Sequence, residues 1–256
     1  MAGVKLKLII NADDFGLSEG ITYGIYDAVK RGVVTSTTMM VNMRASALAG
    51  EIVKRDDSLS VGLHLNLSFG KPLTDCFSLT CEGMFVKPKN CDIHDQFTDE
   101  DLDKELDAQY KKFCELTGKK PTHIDSHLYM HQIYDNVRLA VLRLADKYRI
   151  PVREYGTSFF KAIGYDGTFK VRKAENERDL ENNFYKIIQA YLQSEEILEM
   201  LAHPGFIDDY ALNCSSYNLQ RTIEHKALTG SNIKKFLSDN NIELITYNHS
   251  KFYFQR

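Results

Sequence analysis

Short apolar, β-branched runs alternate with amphipathic helical stretches along the chain, and this alternation constrains the fold more than any other feature. In the first unit, an apolar run over residues 5–10 precedes a helix that begins near Ser18 and ends at Gly32. Repeated β-then-α order predicts parallel strands joined by right-handed crossovers. The order of elements also allows an open sheet, but about seven strands in 256 residues favour an irregular (β/α) barrel.

The hydrophobic periodicity predicts the position of each element. Strands are predicted at residues 5–10, 33–41, 60–67, 121–127, 151–153, 198–203 and 242–247, and helices at residues 18–32, 45–54, 99–116, 134–148, 179–193 and 231–239. No linker rich in Pro, Gly or Ser divides the chain, so we expect one domain over residues 1–256. Residues 68–96 follow no period, and a structureless loop of this length usually has a covering or functional role.

The composition excludes several classes of protein. The 32 Lys and Arg residues against 35 Asp and Glu residues give a net charge of −3, whereas nucleic-acid binders usually carry a basic stripe. No apolar run approaches the roughly 20 residues of a membrane span, and no secretory signal is apparent. Five cysteines without paired spacing indicate reduced thiols rather than a disulfide framework. We therefore expect a cytoplasmic enzyme or binding protein that contacts neither nucleic acid nor membrane.

Polar residues gather where four of the predicted strands end. These clusters lie at residues 11–14, 64–66, 123–127 and 203–204. In parallel α/β folds, active sites are built at the carboxyl ends of the strands. Four clusters at equivalent ends therefore predict one shared site.

Histidines and aspartates dominate these clusters, and two imidazoles with one carboxylate satisfy a catalytic divalent metal. Adjacent residues of a regular strand point to opposite faces, but Asp13 and Asp14 can approach one ligand where the strand turns into a helix. The alternative is that Asp14 caps a turn and Asp13 is solvated. Taken singly, a strand histidine such as His64 is more often a hydrogen-bonded structural residue than a ligand, and His203 could equally be a turn histidine.

Five motifs and a late histidine together resemble the YdjC/ChbG carbohydrate deacetylases. The matching segments are Asn11-Ala-Asp-Asp-Phe-Gly-Leu-Ser18, Thr35-Ser-Thr-Thr38, Gly62-Leu-His-Leu-Asn66, Lys71-Pro-Leu73, Pro121-Thr-His-Ile-Asp-Ser-His127 and Leu201-Ala-His-Pro-Gly205. The resemblance covers the chain from about residue 8 to residue 205 and is weaker over the last fifty residues. It implies a distorted, incomplete barrel akin to the polysaccharide deacetylases. It also implies an enzyme that removes acetyl groups from N-acetylated oligosaccharides such as chitobiose derivatives.

The resemblance also implies roles for individual residues. Asp14, His64 and His127 would bind the metal. Asp13 would be the general base, and His203 would stand where related deacetylases place a general acid. Further substrate contacts are expected from four residues: Asn66, Asp125, His131 and Arg153. Arg153 could alternatively orient Asp13. Several relatives have histidines where this chain has Leu128-Tyr129, which affects the substrate contacts but not the metal ligands.

The expected cofactor is one divalent metal ion. The family resemblance implies Mg²⁺, whereas two imidazoles and one carboxylate suit Zn²⁺ or Mn²⁺ better. The expected partner is an acetylated oligosaccharide, with a homodimer left open. The loop at residues 68–96 would offer Phe69, Phe77 and Phe85 to a sugar face. Two other functions stay open, namely a metal-dependent phosphoester or glycoside hydrolase and a noncatalytic, metal-containing sugar-binding protein.

Overall fold

The computed structural model describes residues 6–88, 96–167, 176–193 and 197–249. Its strands, in chain order, are β1 (Lys7–Phe15), β2 (Ser36–Met39), β3 (Val61–Leu65), β4 (Thr80–Cys81), β5 (Met84–Phe85), β6 (Ile124–Ser126), β7 (Gly164–Asp166), β8 (Ile197–Ala202) and β9 (Glu243–Leu244). Its helices are α1 (Glu19–Arg31), α2 (Ser46–Arg55), α3 (Asp99–Thr117), α4 (Met130–Ile133), α5 (Asp135–Tyr148), α6 (Glu177–Tyr191), α7 (Asp209–Cys214), α8 (Leu219–Thr229) and α9 (Ser231–Asp239). Short 3₁₀ turns cover Phe77–Leu79 and His127–Tyr129.

Seven of the described strands form one sheet, in the order β6-β3-β2-β1-β8-β7, with β9 paired to the start of β1. Every pairing within this sheet is parallel. Helices between successive strands cover the curved sheet, so the prediction of an irregular parallel barrel is confirmed in the form of a half-barrel. The predicted strand at 151–153 is reduced to one parallel bridge between Val152 and Ile124.

Strand β1 lies in the centre of the sheet, and all its residues from Leu8 to Phe15 are buried. A strand covered on both faces reads as a continuous apolar run, as Leu8-Ile9-Ile10 does. Helix α1 follows as the sequence predicts, with the Ser18 side chain accepting a hydrogen bond from the backbone N–H of Ile21. The strand runs five residues further than predicted, so the paired aspartates belong to the sheet.

The segment after β3 differs from the predicted open loop; its residues 89–95 lie outside the described ranges. Its 3₁₀ turn packs against α3, where the backbone N–H of Ser78 donates to Asp101, and β4 and β5 pair as a two-stranded antiparallel ladder. Cys76, Leu79 and Phe85 join the main hydrophobic core. The expectation of three exposed phenylalanines is therefore wrong, because Phe85 is buried and Phe69 is half-buried, while Phe77 is 82% exposed. None of the helices in the described ranges is both long and apolar enough to span a membrane.

Candidate metal and catalytic site

The end of β1 brings the two adjacent aspartates to one place. The pairing of β1 with β2 shifts register between Ala12 and Phe15, and the backbone at Asp14 has a φ of 75°. Aspartate tolerates this left-handed conformation better than most residues, and such backbone strain concentrates at functional sites. The irregularity breaks the alternation of a regular strand. Asp13 and Asp14 can then both face the carboxyl end of the sheet.

Asp14, His64 and His127 converge around one point. The Oδ1 atom of Asp14 lies 3.3 Å from Nε2 of His64 and 3.0 Å from Nδ1 of His127. One ligand atom from each residue lies within 4.8 Å of the others. Donors bonded to one ion at about 2.0–2.2 Å stand about 2.8–3.6 Å apart, so these spacings fit a shared cation. The donor chemistry fits as well, since two imidazoles and a carboxylate suit a divalent transition metal.

The partner behind His64 fixes which nitrogen faces this point. Nδ1 of His64 lies 2.6 Å from Oδ1 of Asp125, and an ionised carboxylate can only accept, so Nδ1 carries the proton. Nε2 is then left for a metal, as in the carboxylate–histidine pairs that support many metal sites. Burial alone would lower the pKa of His64, but the Asp125 carboxylate, with those of Asp14 and Asp13, raises it to about 10. This strongly negative surrounding favours a bound cation.

Arg153 lies at the centre of a buried cluster of carboxylates. Its Nη1 and Nη2 donate to the two oxygens of Asp13 at 2.9 and 2.7 Å. The same Nη2 lies 2.7 Å from Asp125, and Nε donates to Glu199 at 2.8 Å. Burial alone would raise the pKa of Asp13, but the Arg153 guanidinium outweighs burial and holds that pKa well below its usual range. Asp13 is therefore ionised at neutral pH.

A second arginine holds the other aspartate. Nη2 of Arg221 donates to Oδ2 of Asp14 at 2.6 Å, which leaves Oδ1 facing the two histidines. Burial alone would raise the pKa of Asp14, but Arg221, with His127, keeps it well below its usual value. Each aspartate is thus paired with a different arginine. Arg153 bonds to both oxygens of Asp13, whereas Arg221 bonds to one oxygen of Asp14.

A narrow pocket of about 30 Å³ opens onto these groups. The residues that line it are Asp13, His64, Ser126, His127, Leu128, Tyr129 and His203. Leu128 and Tyr129 both have positive φ angles, 54° and 59°, directly after the predicted ligand His127. His203 follows the end of β8 and is half-buried at the pocket wall. The pocket is therefore bordered by the proposed base, two proposed ligands and the proposed acid.

The residues expected to contact substrate lie behind the pocket. Asn66, Asp125, His131 and Arg153 are all fully buried. Asn66 organises the start of the next segment through its bonds to the backbone of Ser68 and Phe69. His131 is held by Ser126, and burial lowers the pKa of His131 to about 3, so its ring is neutral. Their substrate contacts stay predictions, and the observed bonds give all four a supporting position.

Sequence reasoning missed three residues that contact the site or its supports: Glu199, Arg221 and Glu224. All three are buried charged residues. The strand that carries Glu199 was predicted, but helix α8, which carries Arg221 and Glu224, was not. A signal was present, because Arg221 and Glu224 share the helical face of the apolar Leu228. Charged residues in an apolar stripe are rarely buried unless they are paired.

Comparisons with known proteins identify the family. Residues 7–239 match the family model described as YdjC-like protein. The chain is 39% identical to carbohydrate deacetylase 2 of Listeria innocua, covering 94% of this chain and 98% of the relative. It is 34% identical to the chitooligosaccharide deacetylase of Proteus mirabilis, covering 94% and 97%.

Solved structures agree on the architecture. A protein of Enterococcus faecalis named for cellobiose-phosphate cleavage superposes with a TM-score of 0.84 at 29% identity, covering 95% of this chain and 98% of that one. The Xyl-CE4 domain of a xylanase from a termite hindgut metagenome superposes with a TM-score of 0.52 at 12% identity, covering 94% and 87%, and this likeness shows the fold alone. The chain therefore belongs to the YdjC-like family, and the two similar curated relatives are named carbohydrate deacetylase and chitooligosaccharide deacetylase.

Proposed function

We propose that this chain is a metal-dependent hydrolase that removes acetyl groups from N-acetylated oligosaccharides, either of the chitobiose type or phosphorylated disaccharides. The observation that carries the proposal is the convergence of Asp14, His64 and His127 beside a second, separately held aspartate. The names of the relatives supply the acetylated carbohydrate. The name of the Enterococcus faecalis neighbour, which refers to a disaccharide phosphate, supports testing phosphorylated sugars.

The three converging residues would hold the metal, and Asp13 would not. Both oxygens of Asp13 already accept from Arg153, so an ion bound there would lie beside a guanidinium. This argues against the other acidic grouping, which combines Asp13, His64 and Asp125. Asp14 has one oxygen on Arg221 and the other toward the histidines. When bound, a divalent ion would polarise the acetyl carbonyl and lower the pKa of a water molecule.

The chain's own residues would then move the protons. Asp13 lines the pocket and is ionised, so it is placed to accept a proton from the attacking water. His203 lies in the wall of the same pocket and would donate a proton to the amine nitrogen as the C–N bond breaks. Water thus supplies a hydroxyl group to the acetyl carbon and a hydrogen to the amine. The products are acetate and a free amino sugar.

Glycoside cleavage fits the geometry less well. That reaction requires two carboxyl groups about 5–10 Å apart on either side of the bond. Asp13 and Asp125 share Nη2 of Arg153, and they have oxygen atoms within 4.8 Å of each other. Asp125 is also fully buried, so it cannot reach a glycosidic bond in this conformation.

The decisive experiment measures acetate release from a panel of N-acetylated mono- and disaccharides, each with and without a phosphate group. The protein is stripped of metal and then supplied with Mg²⁺, Mn²⁺ or Zn²⁺ in turn. We expect acetate release from a disaccharide only after metal is restored. Release of phosphate or of monosaccharide without acetate would instead support the alternative hydrolases, and metal binding without any turnover would support a sugar-binding protein.

A cytoplasmic location is part of the proposal, and the cysteines support it. The four cysteines within the described ranges, Cys76, Cys81, Cys114 and Cys214, all have free thiols. Unpaired thiols are typical of a reducing compartment. We therefore place the proposed activity in the cytoplasm.

A further inference from the structure

Helix α8 contacts the candidate site at two separate points. Arg221 and Glu224 are three residues apart, so their side chains leave the same face of the helix. Arg221 donates to Asp14, a proposed metal ligand. Glu224 accepts a hydrogen bond from the backbone N–H of His203, the proposed acid. One helix therefore contacts both a proposed metal ligand, Asp14, and the backbone of the proposed acid, His203.

The guanidinium of Arg221 is itself held in one orientation. Its Nε donates to the backbone oxygen of Tyr217 at 2.9 Å, and its Cζ lies 5.8 Å from the centroid of the Tyr217 ring. Its Nη2 is thereby directed at Oδ2 of Asp14. Its Nη1 is buried and has no hydrogen-bond partner among the described residues. A buried donor left unpaired is unfavourable, which indicates that this arrangement is not set by stability alone.

The segment after β8 is anchored to the same helix. Besides the bond from His203 to Glu224, the backbone N–H of Gly205 donates to the backbone oxygen of Arg221 at 3.2 Å. The second oxygen of Glu224 accepts from the hydroxyl of Tyr217. Glu224 is fully buried, so its two oxygens are directed by these donors. The backbone that carries the His203 ring is thus fixed relative to α8.

We propose that α8 is the positioning element of this site, in which Arg221 presents a single oxygen of Asp14 to the metal and Glu224 sets the backbone at His203. The proposal rests on the proposed function for its second half, since His203 matters only if it donates a proton. The two residues act through Asp14 and His203, and they are positioning residues. Loss of Arg221 should therefore change metal binding, and loss of Glu224 should change turnover.

The Arg221 half is tested by calorimetric titration of metal-stripped protein with Mn²⁺ and with Zn²⁺, which needs no substrate. Removal of a residue that orients a metal ligand typically weakens metal affinity about 10–100-fold, and we expect this for Arg221→Met. Arg221→Lys keeps the charge but loses the guanidinium that bonds to two partners. The metal affinity of Arg221→Lys should therefore lie between those of wild type and Arg221→Met. Lys226→Met, on the exposed side of the same helix, should bind metal within about twofold of wild type.

The Glu224 half is tested by steady-state kinetics of acetate release. A displacement of about 1 Å in a catalytic group can cost about 10²-fold, so Glu224→Ala should lower kcat by tenfold or more while metal affinity stays near wild type. Glu224→Gln keeps an acceptor for the His203 N–H, and the Tyr217 hydroxyl can rotate to accept from the amide. Glu224→Gln should therefore retain most of the kcat. A structural role alone would not produce this rescue.

Each result has a defined meaning. Equal metal affinity for wild type, Arg221→Lys and Arg221→Met overturns the first half, and wild-type kcat in Glu224→Ala overturns the second. If Arg221→Met does not fold, Arg221→Lys decides the first half by the difference between its metal affinity and that of wild type. If Glu224→Ala does not fold, Glu224→Gln decides the second half by the kcat that it retains. Absence of acetate release by metal-loaded wild type refutes the proposed function, while the metal titrations still decide the role of Arg221.

Discussion

Two layers of charged residues lie at the carboxyl end of the sheet, and they differ in what their polar atoms contact. In the inner cluster, formed by Asp13, Asp125, Arg153 and Glu199, every carboxylate bonds to the one guanidinium. In the outer set, formed by Asp14, His64, His127 and His203, ring nitrogens and a carboxylate oxygen face each other or the pocket. Arg153 holds every carboxylate of the inner cluster, whereas three residues of the outer set offer ligand atoms that could hold one ion.

The difference is sharpest between two neighbouring residues of identical chemistry. Asp13 has both oxygens on Arg153, whereas Asp14 has one on Arg221 and one toward His64 and His127. In the proposed function, the partners of the two aspartates, and not their residue type, would separate the proton acceptor from the metal ligand. This assignment can be broken by experiments on either layer.

The largest effect is expected from exchanging the two aspartates for asparagine in turn. Asp13→Asn cannot accept the proton, and loss of a general base typically costs about 10²–10⁴ in rate, yet the metal should stay bound. Asp14→Asn loses an anionic ligand and should lose both metal and turnover. Elemental analysis of each purified variant, beside acetate release, measures the two effects separately. The assignment is reversed if Asp13→Asn loses metal while Asp14→Asn keeps metal and activity.

Removal of the central guanidinium should have the next largest effect, on stability. Arg153→Met leaves three buried carboxyl groups without their cation, and breaking a buried ion pair costs about 3–5 kcal/mol. Denaturant unfolding at neutral pH measures this loss. Arg143→Met, which removes an exposed arginine paired with Asp99 and Asp103, should change stability by about 0.5 kcal/mol or less. Equal stability of the two variants would show that the inner cluster is not a structural unit.

The sequence predicted the outer set better than the inner cluster. The outer residues lie at strand ends, where parallel strands meet at one edge, so their convergence follows from the pattern of elements. The strand that carries Glu199 was predicted, but nothing in a strand pattern shows that an acid will pair with a distant arginine. Arg221 and Glu224 on α8 have the three-residue spacing of an ordinary surface pair. The helical pattern can indicate that such a pair is buried, but it does not show the partner of Arg221, because Asp14 lies 207 residues away in the chain.

The inner cluster should also give stability a distinct pH dependence. Burial raises the pKa of Glu199 to about 7 from an ordinary 4.5, although Arg153 acts in the opposite direction. Between these values the folded chain holds a proton at Glu199 that the unfolded chain has released. Raising the pH through this window therefore lowers the free energy of unfolding, by roughly 3 kcal/mol at about 1.4 kcal/mol per pKa unit.

Glu199→Gln isolates this effect because it has no proton to lose. Its free energy of unfolding relative to wild type should rise by roughly 3 kcal/mol between pH 4.5 and pH 7.5, while the other carboxyl groups contribute alike to both proteins. Denaturant titrations of both proteins at intervals of half a pH unit give the difference curve. Parallel curves for the two proteins would show that Glu199 is ionised in the folded chain throughout, and that one guanidinium suffices for all three carboxylates.

The smallest effect is expected at the segment after β3, which lies outside both layers. Phe77 is 82% exposed there, although Cys76 and Leu79 on either side of it are buried. If this segment contacts the sugar as predicted, Phe77→Ala removes an aromatic contact worth about 0.5–1.5 kcal/mol, so KM should rise about two- to twelvefold with kcat unchanged. Leu139→Ala, at another exposed apolar residue, on α5, is the control and should leave KM unaltered. An unchanged KM in Phe77→Ala, with unfolding curves that coincide with wild type, would restrict substrate recognition to the pocket bounded by the outer set.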